Sequence, residues 1–388
     1  MTTTRSSSSP RATMGFLYLG QAVLTMASGA VFALLAELQD QYALPGWSLG
    51  LIAAATFVGN VVMQITFSRF ADRGYTRWLL RAGLLCAGLG MIGFALASGV
   101  WGFVGARLLT GAGEGLYGPA ARRVVVYRNP QRTAEALGRM GAVAVGGFIL
   151  GPPLATFLLE VEGIRAPFFV LLAVLIICVP AIARIAEPPP EAGQSRAVVR
   201  RLMRSRSVHA ALMLGAALQV MFGAFEALWS RFFKDLGATP TFIGVSLALF
   251  PIPLILLSPL GGRLADRHGA RQAAVVANLA SVPFVIAFGF ASTPWLVASL
   301  AFVNGVTQAV SMPGGQAAMA RASPLELLAV GQGLYGAVGA IAAAIAAVGA
   351  ASAYAAFGPK TTFTVTSLVV VALSLGSYLW GRTDDASR

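Results

Sequence analysis

Apolar runs long enough to cross a bilayer recur along almost the whole chain, with short polar turns between them. In lipid the backbone N–H and C=O groups have no outside partner, so such runs must close their hydrogen bonds internally, as helices. A membrane barrel would alternate apolar and polar residues, and these segments do not. A span takes about 20 mostly apolar residues. On that measure the runs fall at 14–38, 48–69, 77–97, 100–122, 134–158 and 165–186. After a polar connector come 209–233, 241–262, 272–291, 294–317, 326–350 and 360–381. The expected fold is all-α and integral to the membrane, with twelve transmembrane helices. Only 11% of the residues are charged, against about 25% in soluble domains, which excludes a soluble enzyme with a single anchor.

The chain also repeats itself. Ser68-Arg69-Phe70-Ala71-Asp72-Arg73-Gly74-Tyr75-Thr76-Arg77 has an echo in Gly262-Arg263-Leu264-Ala265-Asp266-Arg267-His268-Gly269-Ala270-Arg271, 194 residues later in a chain of 388. The same offset carries Gly111 onto Gly305 and Pro119 onto Pro313. Two copies of one unit are implied: pseudo-symmetric six-helix bundles over 14–186 and 209–381. Around them we expect a disordered cytoplasmic N-terminus over 1–13, a cytoplasmic linker over 187–208 and a cytoplasmic tail over 382–388. In the linker, Val198, Val199, Leu202 and Met203 share one helical face and Arg196, Arg200 and Arg204 another, the pattern of an amphipathic helix on a membrane surface.

Orientation follows from the basic residues. Of 28 Lys and Arg, 23 fall on the side that holds the even turns and both termini. Excess positive charge marks the cytoplasmic face, so both termini are expected inside a plasma (cytoplasmic) membrane. The net charge of +13 is thereby assigned to topology, and nucleic acid is not expected as a partner. Cys86 and Cys178 lie within apolar runs and offer neither a disulfide framework nor a metal spacing. His209 and His268 suggest no zinc site or acid–base chemistry, and no phosphate-cradling loop is visible. We therefore expect no metal, no cofactor and no enzymatic activity.

The Gly-x-Leu-Ala-Asp-Arg-x-Gly-x-Arg turn, following an even-numbered span and repeated half a chain later, resembles the signature of the major facilitator superfamily. The second copy fits nearly completely; the first has Ser68 in place of the leading glycine and Tyr75 where Gly269 stands. Arg107-Leu108-Leu109-Thr110-Gly111-Ala112-Gly113 is similar to the family's arginine motif. Gly147-Phe148-Ile149-Leu150-Gly151-Pro152 is similar to the Gly-x-x-x-Gly-Pro motif of drug:proton antiporters, although Ala155-Thr156 replaces its trailing glycines. What the resemblance implies is a secondary transporter with a cytoplasmic gate. Asp72 would meet the start of helix 11 near Ser323-Pro324-Leu325, with Arg73, Arg77 and Arg122 as counter-charges, and Asp266 and Arg267 would serve the second copy. Physically, a carboxylate at a helix end is stabilised by a neighbouring helix N-terminus and by arginines.

Ionisable residues inside a membrane are costly and mark function. Glu114 follows Arg107 by seven residues, two turns or about 10 Å along one helix face. At the 194-residue offset these positions become Gln308 and Ala301, so the second half keeps the shape without the charges. Glu114, among Gly111, Gly113 and Gly115, is the leading proton carrier, with Arg107 tuning it; a neutralised packing glutamate is the plain alternative. Glu226 in helix 7 is a second candidate for proton or cation binding, or else the partner of Arg231 at the membrane edge. Glu37 is expected to be solvated. Gln21, Thr25 and Ser28, then Asn60 and Gln64, Gln219, and Asn304 with Gln308 form polar stripes that would line a cavity or join helices. Gly147, Gly151 and Pro152 are expected to make a flexible seam between the halves.

These readings converge on a monomeric transporter whose partners are a small molecule, protons and the lipid bilayer. Export of small amphipathic compounds driven by proton entry through alternating access comes first. Proton-coupled import of an organic anion held by Arg107 comes second, and a non-transporting sensor or scaffold third.

Overall fold

The computed structural model describes all residues except 1–9, 129–132, 183–184, 186–187, 190–203, 324–327 and 386–388. Every described element is helical, and the twelve expected helices are present. They are α1 (Pro10–Gln41), α2 (Gly46–Phe70), α3 (Thr76–Leu96), α4 (Val100–Arg128), α5 (Thr133–Glu162) and α6 (Ala166–Ile182). Then come α7 (Arg206–Asp235), α8 in two pieces (Pro240–Leu249 and Pro251–His268), α9 (Ala270–Phe288) and α10 (Pro294–Ala322). The last two, α11 and α12, are the arms of Leu328–Asp385, which bends at Gly358 (φ 75°, ψ −176°) and restarts at Pro359. Among the described residues nine helical stretches are long and apolar enough to cross a membrane, one of them, Gly331–Trp380, running through both α11 and α12.

Local chemistry explains several boundaries. Thr239 and Thr293 accept from the N–H three residues on, with Pro240 and Pro294 at the first helical position. There the missing donor would have been orphaned anyway. Ser205 caps α7 in the same way through the Val208 N–H. The two repeated turns differ as their sequences suggest. In the second, Gly269 takes φ 89° between α8 and α9. In the first, the left-handed residue is Gly74 (φ 90°), at which the chain kinks within Ala71–Tyr75. The kink therefore falls one residue earlier than in the second copy, and Tyr75 keeps a negative φ (−100°).

Two compact units emerge: Met1–Val31 with Gly59–Gly193, and Phe32–Val58 with Gln194–Arg388. The partition differs from a simple midpoint division, because the 32–58 segment packs in the second unit. That segment is the end of α1, its connection and the start of α2. Within the first unit α1 and α5 approach closely: a side chain on Gly147 would strike the Ala22 carbonyl, and one on Gly151 the Met26 carbonyl. Helices in lipid associate through such small-residue contacts. In the second unit, Phe225, Trp229, Phe250 and Phe288 form a packed aromatic layer. Trp229 turns its indole N–H to Ser246 Oγ, 3.1 Å away.

α1 already begins at Pro10, and the last helix continues to Asp385. Most of the linker read as a surface helix over 187–208 lies outside the described residues.

Candidate functional site

Glu114 sits midway along α4, partly exposed, where α1 and α2 both come within reach. Ser28 on α1 donates its hydroxyl to Glu114 Oε1 at 2.5 Å, and Asn60 on α2 donates from Nδ2 to Oε2 at 3.4 Å. Glycines flank both contacts. A side chain on Gly115 would run into the backbone of Asn60, and one on Gly29 would meet Phe148 and Pro152 of α5. Bare backbone at Gly115 lets α2 lie against α4 at the level of Glu114, and Gly29 lets α5 lie against α1 beside Ser28. Tyr117, one turn further on and fully buried, donates its hydroxyl to the Leu17 carbonyl at 2.8 Å and so tethers α4 to α1 again.

Arg107 is 0% exposed and acts electrostatically on Glu114 from along the same helix. The carboxylate therefore has two neutral donors on separate helices and one cation behind it. Ser28 and Asn60 hydrogen-bond its oxygens, and Arg107 supplies a nearby positive charge. Such an arrangement can hold a proton or release one, and the two states differ in how well Asn60 is bonded. The second half has no copy of it: at the 194-residue offset Ser28 becomes Phe222 and Asn60 becomes Leu254. There, Asn304 and Gln308 are buried and turn their amide nitrogens to the Met221 sulfur at 3.7 and 4.0 Å. Gln308 Oε1 has no donor among the described residues.

The other sequence candidates are dispersed. Thr25 spends its hydroxyl on the carbonyls of Gln21 and Ala22 in its own helix. Gln21 keeps a buried Oε1 with no donor among the described residues. Gln64 and Gln219 are half-buried, and Gln219 lies against Gly339 of α11. Gly147, Gly151 and Pro152 contact α1 of their own unit. Glu226 is half-buried on α7. Arg231, weighed above as its ion-pair partner, goes instead to Asp40 and Asp235, at 2.6 and 2.7 Å. Glu37 is not simply solvated as expected, since Lys234 reaches it at 2.6 Å. At the second charged turn Asp266 pairs with Arg321 at 2.8 Å. Arg267 is exposed, as are Arg77 and Arg122, and Arg73 lies over the Phe70 ring at 5.8 Å. The side chain of Asp72 lies outside the described residues. Ser28 is the partner that sequence reasoning undervalued: its place on the polar stripe of α1 was visible, but its pairing with α4 was not.

Comparison with known proteins decides the family. The sequence model of the Major Facilitator Superfamily matches residues 17–234 and 211–388, which takes in both repeats. The chain belongs to the Major Facilitator Superfamily. As a facilitator-superfamily protein it is a multi-pass membrane transporter. It is similar to "Multidrug resistance protein MdtG" of Dickeya zeae (strain Ech586), with 29% identity over 290 residues, 72% of this chain and 71% of that protein. The protein of the same name from Salmonella arizonae is 28% identical over 285 residues, 71% of this chain and 70% of the relative. Solved facilitator folds superpose over nearly the whole length. A bacterial homologue of the human lysosomal transporter Spinster, inward-facing and unoccupied, gives a TM-score of 0.83 at 14% identity, covering 97% of this chain and 98% of that one. The nucleoside transporter NupG gives 0.78 at 12% identity, covering 95% and 98%. At such identities the superpositions speak for the fold alone.

Proposed function

We propose that this facilitator is a proton-coupled exporter of small amphipathic organic compounds, with Glu114 as its proton carrier and alternating access as its mechanism. The observation that carries the reading is the Ser28–Glu114–Asn60 contact, found in one half of a duplicated fold. When ionised, Glu114 accepts from both neighbours and so ties α4 to α1 and α2. On protonation it becomes a donor and its acceptor oxygens lose charge, so the tie to Asn60, which offers only N–H groups there, weakens. Ser28 can turn its hydroxyl and accept instead. Protonation therefore changes how firmly three helices of the first unit are held together, which couples an ion to a conformational equilibrium. The curated relatives are named for multidrug resistance, in keeping with outward transport of drug-like molecules.

The test is proton movement. Purified protein in vesicles with an imposed pH gradient should move protons when substrate is added, and Glu114→Gln should abolish the coupled flux while leaving substrate binding in place. Unchanged coupling in that variant would remove Glu114 from the mechanism. Import of an organic anion bound by Arg107 is the weaker reading, because full burial leaves that guanidinium no face to offer a ligand.

A further inference from the structure

The second compact unit holds a cavity that neither Glu114 nor Glu226 lines. It lies where α1 ends and α2 begins, beside α7 and α11. Its volume is about 290 Å³, at the lower end of the roughly 300–1,000 Å³ usual for small-molecule sites. One side is polar, with Gln39, Arg231, Asp235 and Tyr354. The other is apolar, with the buried Leu49 and Leu228 and with Ala355. A side chain on Gly46 would meet the Ala355 Cβ, so bare backbone there lets α2 close the apolar wall against α11.

The polar side has committed donors and acceptors with capacity to spare. Arg231 gives Nη1 to Asp40 at 2.6 Å and to Gln39 Oε1 at 3.4 Å, and Nη2 to Asp235 Oδ1 at 2.7 Å. The Tyr354 hydroxyl donates to Asp235 Oδ2 at 2.8 Å. Gln39 Nε2 donates to the Leu44 carbonyl at 3.3 Å. Both Asp235 oxygens and Gln39 Oε1 thus accept one such bond each, and each oxygen has a second lone pair. Charge points the same way. The described side chains joined here count three carboxylates, Glu37, Asp40 and Asp235, against two cations, Arg231 and Lys234. One negative charge is left in excess. The Asp235 side chain is 34% exposed, so a solute can reach it without displacing a helix.

We infer that this cavity is a binding site for a small primary ammonium ion with a hydrocarbon body. The ammonium donates to Asp235, as a charge-assisted bond, and to Gln39 Oε1. The hydrocarbon lies on Leu49, Leu228 and Ala355, out of water. An anion of the same size would have to face Asp235. A free alkylamine and the ethanolamine headgroup of a phospholipid both carry this chemistry, and the test separates them. The inference uses neither Glu114 nor the transport reading, so it stands or falls apart from both.

Protection of a cysteine in the wall tests the site. Full-length protein carrying Ala355→Cys, with Cys86→Ala and Cys178→Ala, is placed in phosphatidylcholine nanodiscs and labelled with a negatively charged thiosulfonate. Cyclohexylammonium at about 20 mM should slow the labelling roughly threefold, as occupancy of about two-thirds does. Cyclohexanol and cyclohexanecarboxylate, matched in size, should change the rate by less than about 1.3-fold. Equal slowing by either would overturn the ammonium assignment, and no slowing by the amine would remove the site. Ala356→Cys lies at an exposed position off the lining. It should label at one rate with and without the amine, and slowing there too would reduce the effect to a general one. Adding Asp235→Asn to Ala355→Cys should raise the amine concentration needed about tenfold, the worth of one charge-assisted bond. An unchanged requirement would refute the carboxylate's role. Should that variant not fold, the comparison of amine, alcohol and carboxylate decides alone. Nanodiscs of phosphatidylethanolamine then name the source. Slow labelling that added amine does not change identifies the headgroup as the occupant, and protection equal to that in phosphatidylcholine identifies a free solute.

Discussion

Gly146 and Gly147 are neighbours on α5 with opposite surroundings, and a methyl group added to each should have opposite consequences. A Cβ on Gly146 meets nothing within 4 Å, whereas one on Gly147 would run into the Ala22 carbonyl oxygen and Thr25 Oγ1. Neither obstacle can turn aside. The carbonyl belongs to the backbone of α1, and the hydroxyl already bonds to Gln21 and Ala22 at 3.1 and 3.0 Å. The two helices must therefore separate. Overpacking of this kind costs about 1–3 kcal/mol, and a gap of about 0.5–1 Å forfeits roughly a quarter to a half of each dispersion contact along the seam. At Gly146 the same methyl lowers the entropy cost of the helix and contributes up to about 1 kcal/mol. That gain is common to both positions, so Gly147→Ala should fall below Gly146→Ala by the overpacking cost, about 1–3 kcal/mol. Reversible unfolding of both variants in mixed micelles measures the difference. Equal stabilities would refute the close α1–α5 contact, and with it the physical reading of the Gly-x-x-x-Gly-Pro motif.

The other expectations are more compact. With Glu114 as the single proton carrier, a gradient of one pH unit should sustain about tenfold substrate accumulation, since one unit is worth about 1.4 kcal/mol. Glu114→Gln should accumulate none, and about a hundredfold in the parent protein would implicate a second carboxylate such as Glu226. The Arg321–Asp266 pair, with side chains 53% and 70% exposed, should contribute under about 1 kcal/mol to stability. Arg321→Gln should therefore leave the unfolding midpoint nearly unchanged, at low salt as well as high. Gln308 is 1% exposed and holds an acceptor without a donor among the described residues. Gln308→Met should therefore raise stability by about 1–3 kcal/mol in the same unfolding assay.

The helix count, the repeat and the special turns were legible in the chain because each follows from a local rule. Apolar length sets a crossing, proline and glycine set a bend, and an offset of 194 residues declares a copy. Glu114 stood out for the same reason, as a carboxylate that lipid would not tolerate without a purpose. Its partners did not stand out, and neither did the ion pairs of Glu37 with Lys234 and of Asp40 with Arg231. Glu37 looked like an end residue facing water, and Arg231 looked like company for Glu226, because reach along one helix is all that spacing reports.

By itself, then, the sequence determined which stretches cross the membrane and that they come in two related sets, since backbone satisfaction in lipid is settled within each segment. Only the tertiary structure decided that Ser28 and Asn60, 86 and 54 residues away, close on Glu114, and that the acidic end of one repeat meets the basic end of the other. Those meetings depend on how closely backbones approach at glycines such as Gly115 and on the register of one helix against the next, quantities set by packing between helices and absent from the period of any one of them.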